Sequence, residues 1–275
     1  MSQTTQNSVE RHSYRRGLPV SALGLTFYPI TMAHYEAFLY CKDAVTLRLA
    51  SLPVQFISMD YMTALFAIDQ EEKFNAKFGG NMFAKAIKLL YLSLRIEGEN
   101  RNLIEDLQFE PQNGKLNLKG IKVTQEGATV VITTREFSDV VRPIIAGLNG
   151  LQLPDESHNI ELVKANEQRN AILQMQGQTA LKANTDDLIA SVAYLSHVSE
   201  REINGWSIRE FENRKRAIDR DKKYMLYGQA EMSGMVSFKK GNPAPSWCFD
   251  KIDDMLGTMS LDDLGKQTQG IQQKQ

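Results

Sequence analysis

The side chains of this chain that could do chemistry are its histidines, cysteines and paired carboxylates. None of the histidines has a second ligand-type residue at the spacing of a zinc site; they are His12, His34, His158 and His197. The two cysteines, Cys41 and Cys248, lie far apart in the sequence and beside aromatic residues. This pattern favours buried thiols in a reducing compartment over a disulfide.

Two pairs of adjacent acidic residues, Asp186 with Asp187 and Asp253 with Asp254, could suggest acid–base catalysis. Neighbouring positions on a helix point in different directions, so capping and solvation explain these pairs better. The glycine patterns of nucleophile elbows, dinucleotide sites and phosphate loops are absent from the sequence. We therefore expect a protein without enzymatic activity, cofactor or metal site.

The composition limits the class of protein. The chain has 275 residues, with 32 Lys and Arg, 33 Asp and Glu and a net charge of −1. Balanced, interspersed charges argue against a dedicated nucleic-acid binder. No apolar run reaches the roughly 18 residues of a membrane span, and the polar first residues lack the hydrophobic segment of a signal peptide. These features predict a cytoplasmic location.

Apolar spacing and turn residues predict an α+β protein that is mainly α-helical, with a small antiparallel β-sheet in the middle of the chain. Helices are expected at about 31–48, 58–68 and 82–95. Alternating apolar residues between 107 and 132 predict three strands, with turns at Asn113-Gly114 and Glu126-Gly127. Capping boxes are expected where Thr133 precedes Glu136 and where Ser199 precedes Glu202.

The predicted domain organisation has five parts. They are a disordered N-terminus (1–20), a helical bundle with the small sheet (21–173), a linker (174–184), a C-terminal helical region (185–259) and a disordered tail (260–275).

The long charged helix that begins after Ser207 is the most distinctive predicted element. A further capping box pairs Ser207 with Glu210, and neither Pro nor Gly interrupts the sequence up to about Tyr227. Gly228 is expected to weaken the helix and Gly234 to end it. Apolar residues at intervals of three and seven predict one apolar side: Ile208, Phe211, Ile218 and Met225.

The other side of this helix carries a basic cluster at 214–223. A phosphate-rich partner is one interpretation, but Asp219 and Asp221 lie among the basic residues and dilute the positive charge. A solvated helix face is the simpler interpretation, and a protein partner is a third.

Three stretches resemble proteins encoded in the tail-assembly region of tailed bacteriophages and prophages of low-GC bacteria, the tail assembly chaperones. They are LTFYPITMAHYEAFLYCKDAVTLRLASLPV (25–54), FSDVVRPIIAGLNGLQLPDE (137–156) and WSIREFENRKRAIDRDKKYMLYGQAEMSGMVSFKKGNPAPSW (206–247). The resemblance implies a non-enzymatic protein of the host cell cytoplasm. It would bind the tape-measure protein and keep it soluble while the tail tube assembles.

A flexible methionine-rich surface suits such a partner, although core packing is a competing interpretation for each residue. The predicted protein-binding residues are Trp206, Phe211, Met225, Met232, Met235 and Trp247. Two other functions stay open. The chain could be a structural tail, neck or baseplate subunit, or a host-directed or nucleic-acid-associated protein that uses the basic cluster. A homo-oligomer is compatible with each of them.

Overall fold

The computed structural model of the protein describes residues 17–96, 106–112, 115–154 and 184–234. These residues form a mainly helical fold with two small antiparallel sheets, so the predicted α+β class is confirmed. Several predictions fall outside the described residues: the disordered ends before residue 17 and after residue 259, most of the linker, and the turn at Asn113-Gly114.

The sheets are a hairpin and a three-stranded meander. The hairpin pairs β1 (Val20–Ala22) with β2 (Leu25–Phe27), and the meander has the order β3 (Leu107–Gln112), β4 (Lys115–Gln125) and β5 (Ala128–Thr133). Glu126 and Gly127 have φ values of +48° and +85°, which confirms the predicted tight turn. The sequence also predicts a short β-prone segment at 25–28, which is β2, but β1 and the turn were missed because the turn places Leu23 at φ +55°, a conformation that bulky residues rarely adopt.

Short helices lie between the two sheets along the chain. They are α1 (Tyr35–Cys41), α2 (Asp43–Thr46), α3 (Val54–Ile57), α4 (Tyr61–Gln70), α5 (Glu72–Lys77) and α6 (Met82–Leu94). The prediction of a single helix over 31–48 is wrong, since α1 and α2 are separate and Leu47 is extended at ψ 132°. The helix predicted at 82–95 is α6; it is buried on more than one side, and Ala86, Ile87, Leu89 and Leu90 are among its buried residues.

The second half of the fold begins with a capping box and ends with the long helix. Its elements are α7 (Thr134–Glu136), a π turn (Phe137–Val141), α8 (Arg142–Asn149), α9 (Thr185–Ser196), α10 (Glu200–Ile203) and α11 (Ile208–Met232). The predicted capping boxes at Thr133 and Ser199 are present. The π turn ends two residues before Pro143, whose missing N–H removes one helical hydrogen bond.

Several helix ends are capped by side chains from other elements. The Tyr61 N–H at the start of α4 donates to Ser138 Oγ at 3.0 Å. At the start of α6, the Met82 and Phe83 amides donate to the two oxygens of Asp69 at 2.7 and 2.9 Å. These bonds satisfy amides that a helix leaves unpaired in its first turn. They also join the start of α4 to the π turn and the start of α6 to α4.

Arg142 makes the corresponding contact at a helix C-terminus. Arg142 is buried, with only 8 % of its surface exposed. Nε donates to the Val45 carbonyl at 2.8 Å and Nη2 to the Leu47 carbonyl at 3.0 Å. The guanidinium lies over the Tyr61 ring at 3.7 Å, and the Tyr61 hydroxyl donates to the Ala44 carbonyl at 2.9 Å. The end of α2 is therefore held by α4 and α8 together.

The chain divides into two compact units. The described residues of the first are those between 17 and 154, together with 184–213, and those of the second are 214–234. This division differs from the predicted C-terminal region at 185–259, because α9, α10 and the start of α11 belong to the first unit. Ile203, Ile208 and Phe211 are buried there.

Replacing Arg142 by Lys should lower the free energy of unfolding by about 2 kcal/mol, because an ammonium group cannot donate in the planar fork geometry or stack on Tyr61. Urea unfolding followed by circular dichroism measures this change. The matched control is Arg135→Lys, since Arg135 is exposed and pairs with Asp139 on the same helical segment; it should change stability by less than about 0.5 kcal/mol. Equal effects of the two substitutions would contradict the structural role of Arg142.

Glu136 should contribute stability that depends on pH. The Thr133 backbone N–H and hydroxyl donate to its carboxylate and hold the pKa of Glu136 below its ordinary value. A carboxyl with a lowered folded-state pKa stabilises the protein above its unfolded pKa, and this contribution is lost as the pH falls through the folded pKa. Glu136→Gln should therefore be less stable than the wild type at pH 7, by less than about 1 kcal/mol, and this difference should become smaller at about pH 3, which lies below the ordinary pKa of glutamate.

The measurement is urea unfolding at both pH values, with Glu126→Gln in the exposed β4–β5 turn as the control variant. A difference between wild type and Glu136→Gln that persists unchanged at the lower pH would show that the charged capping box does not provide this stability.

Candidate protein-interaction surface

The base of α11, residues 208–212, is anchored by backbone pairing just before it. The Met32 N–H donates to the Trp206 carbonyl at 2.9 Å, and the Ile208 N–H donates to the Ile30 carbonyl at 2.9 Å. Thr31 and Ser207 form an antiparallel bridge between these contacts. The Ser207 hydroxyl accepts from the Glu210 N–H at 3.2 Å, as its predicted capping role requires. The helix therefore starts at a fixed position in the first unit.

Side chains reinforce this anchor. The Tyr35 hydroxyl donates to Glu212 at 3.3 Å, and burial together with the Glu212 charge raises the pKa of Tyr35 to about 12. The Tyr35 ring meets the Phe211 ring edge-on at 5.9 Å. Arg209 donates to the Gly147 carbonyl near the end of α8. The side of the α11 base that carries Ile208 and Phe211 is thus part of the core.

This burial corrects one predicted contact residue. Phe211 is fully buried, so it belongs to the core and not to an exposed surface. The physical reason is that Phe211 packs against Tyr35 near the start of α11, just after the bridge between Thr31 and Ser207. Trp206 is half-buried, with its carbonyl engaged by Met32. Met235 and Trp247 lie outside the described residues.

The other predicted residues lie at an exposed apolar end of α11. We define this apolar end as Tyr224, Met225, Leu226, Tyr227 and Met232. Met225 is 50 % exposed, Leu226 63 % and Met232 91 %. Successive helical residues are about 100° apart, so the side chains at 224–227 point to different sides of the helix. Such a run is typical of a helix segment that another protein surface covers.

Sequence reasoning found Met225 and Met232 but missed Leu226 and Tyr227. It searched for one apolar side, and Leu226 falls outside the stripe that contains Met225. The signal that could have found them is the unbroken run of four large apolar residues from Tyr224 to Tyr227, which directly follows a highly charged segment.

The charged segment before the apolar end, 214–223, contains six basic and two acidic residues, which gives a net charge of +4. Within it, Lys223 Nζ lies 2.7 Å from Asp219 Oδ2, one helical turn away. The hydrogen bond to Asp219 raises the pKa of Lys223. This pairing reduces the positive field offered to a polyanion and fits the solvated-face interpretation of the cluster.

A cleft of about 330 Å³ lies elsewhere in the first unit, lined by residues of α6 and the β4–β5 turn. Its polar groups have structural roles. The Gln125 amide donates to the carbonyls of Thr26 and Leu94 at 2.8 and 2.9 Å, and Arg95 lies over the Tyr28 ring at 4.2 Å. These contacts join β2, α6 and β4. The cleft therefore gives no specific indication of a ligand.

Within 17–96, 106–112, 115–154 and 184–234, no cluster of three or more His, Cys, Asp or Glu side chains is placed to hold a metal ion. No helix in these ranges combines the length and the apolar character that crossing a membrane requires.

Comparison with known proteins gives no relative for this chain: no family model matches it, and neither does any curated protein or solved structure.

The apolar end should become more stable when Gly228 is replaced by Ala. Gly228 lies inside α11, and no described heavy atom is within 4 Å of the position that its Cβ would occupy. The substitution should stabilise this part of the helix by about 0.5–1 kcal/mol, because glycine loses more backbone entropy than alanine.

Hydrogen exchange of the amides at 224–232 measures this local stability. Gly234→Ala is the matched comparison, since Gly234 has a φ of +70° and the added Cβ should destabilise the helix end. The same sign for both substitutions would contradict the described backbone of α11.

Proposed function

We propose that this protein is a non-enzymatic tail assembly chaperone of a tailed bacteriophage or prophage. It binds the tape-measure protein and keeps it soluble while the tail assembles. The observation that carries the proposal is the exposed apolar end of α11. The resemblance of residues 25–54, 137–156 and 206–247 to proteins of the tail-assembly region supports the identity of the partner.

The chemistry of the apolar end suits transient capture. Met225 and Met232 have flexible, polarisable side chains, which can repack against different apolar surfaces. Tyr224 and Tyr227 add rings with polar tips that tolerate both a wet and a covered state. A long helical protein with apolar patches would otherwise expose these patches to other copies of itself before assembly.

The anchored base of α11 supports the same role. Because Phe211 and Ile208 are buried and Tyr35 holds Glu212, the helix starts from a rigid position. A preformed helix loses less conformational entropy on binding than a segment that must fold against its partner. The paired charge of Lys223 and Asp219 weighs against a function in nucleic-acid binding.

The proposal is tested by co-expressing the full chain with the tape-measure protein of the same phage and measuring how much tape measure stays soluble and co-purifies. The double variant Met225→Asp/Met232→Asp should reduce the captured amount at least tenfold, because two carboxylates would have to be desolvated at the interface. Circular dichroism should show an unchanged fold, since both side chains are exposed.

The matched control is Val54→Asp, which adds a carboxylate at an 84 % exposed apolar position of α3. This variant should capture the tape measure as well as the wild type. Undiminished capture by the double variant, or equal losses in both variants, would refute the proposed use of the apolar end.

A further inference from the structure

We infer that the outer edge of β5 pairs with β5 of a second copy of this chain. The two three-stranded meanders would then join across a two-fold axis into one continuous antiparallel sheet. The inference goes beyond the proposed function, because it uses the backbone of β5 and no residue of the apolar end. Its supports are the hydrogen-bond pattern of the β4–β5 hairpin and a difference between the two edges of the meander.

The pairing of β5 with β4 shows which backbone groups point outward. The two strands are joined by the tight two-residue turn, and β5 is an edge strand of the meander. In such a hairpin the pair that closes the turn, Gln125 with Ala128, exchanges both hydrogen bonds, and every second pair along the strands does the same. The N–H and C=O groups of Thr129 and Val131 therefore point away from β4. Within the part of the chain that the structure describes, no other element bonds to them.

The two edges of the meander differ in their protection against an added strand. The β3 edge has a bulge between Gln108 and Phe109, the exposed charge of Glu110, and Pro111, which has no N–H. Each of these features hinders pairing with another strand. In contrast, β5 has the sequence ATVVIT, pairs with β4 without a register shift, and leaves Val131 42 % exposed. An uncharged, regular edge of this kind favours the addition of a strand.

A second copy of β5 matches this edge in its hydrogen-bonding groups and its charge. If two β5 strands run antiparallel about an axis at Val130, Thr129 of each copy lies opposite Val131 of the other. Both residues have outward groups, so the two pairs form about four backbone hydrogen bonds. No like charges meet, because β5 carries none. An axis at Val131 would instead pair Thr129 with Thr133, whose N–H already donates to Glu136. The axis at Val130 therefore uses the available groups best.

The test measures the mass of the full chain by sedimentation equilibrium between about 1 and 100 μM, where a small interface should give a concentration-dependent dimer. Val131→Pro should weaken dimerisation at least tenfold, because it removes one outward N–H from each copy and leaves the pairing with β4 intact. Val131→Thr is the matched control, since it keeps this N–H and a β-branched side chain, and it should dimerise like the wild type. Circular dichroism should show the same fold in all three proteins.

A cysteine at the axis tests the register. Directly opposite residues of an antiparallel pair have Cβ atoms about 4.5–5.5 Å apart, so mild oxidation should link two copies of Val130→Cys. Thr124→Cys, at an exposed position of β4 one strand away from the edge, should not link. A wild type that stays monomeric over the whole range, a dimer that Val131→Pro leaves unchanged, or equal linking of the two cysteine variants would overturn the inference. Dimerisation without tape-measure capture would support it and refute the proposed function alone.

Discussion

The first unit depends on a buried arginine that receives its hydrogen-bond partners from the end of another helix. A guanidinium removed from water is destabilising unless its N–H groups are bonded. The N–H groups of Arg142 donate to the carbonyls of Val45 and Leu47, and its guanidinium lies over the face of the Tyr61 ring. This one cluster of contacts therefore joins the end of α2 to α4 through Tyr61 and to the start of α8.

The same physical solution recurs at three other helix termini. Asp69 caps α6 and Ser138 caps α4. Gln125 takes the carbonyl of Leu94 at the end of α6 and both backbone groups of Thr26 in β2. A helix leaves its first four amides and last four carbonyls without partners in the helix, and in a helix of one or two turns these are most of its backbone groups. Because other elements supply the missing partners, such helices have little stability of their own, and the unit is expected to unfold cooperatively.

This dependence explains what could be predicted from the sequence. The capping boxes at Thr133 and Ser199 and the turn at Glu126-Gly127 are encoded within four residues, and the all-round apolar character of α6 within thirteen, so the pattern was enough. The bond from the Ile30 N–H to Asn149 spans 119 residues and has no local signal. The same limit applies to the candidate surface. Phe211 and Met225 share one helical stripe, but spacing does not show where along that stripe the core stops covering it.

A helix that is fixed at its base and apolar at its other end is suited to hold a partner and release it. A permanent subunit would need the same features, so the decisive question is whether the chain stays with the finished particle. Quantitative mass spectrometry of a particle-producing lysate and of the purified particles answers it. An assembly chaperone is abundant in the lysate and absent from the particles, which is the result that our account predicts. A fixed copy number in purified particles would contradict it and would make the chain a structural subunit of the virion.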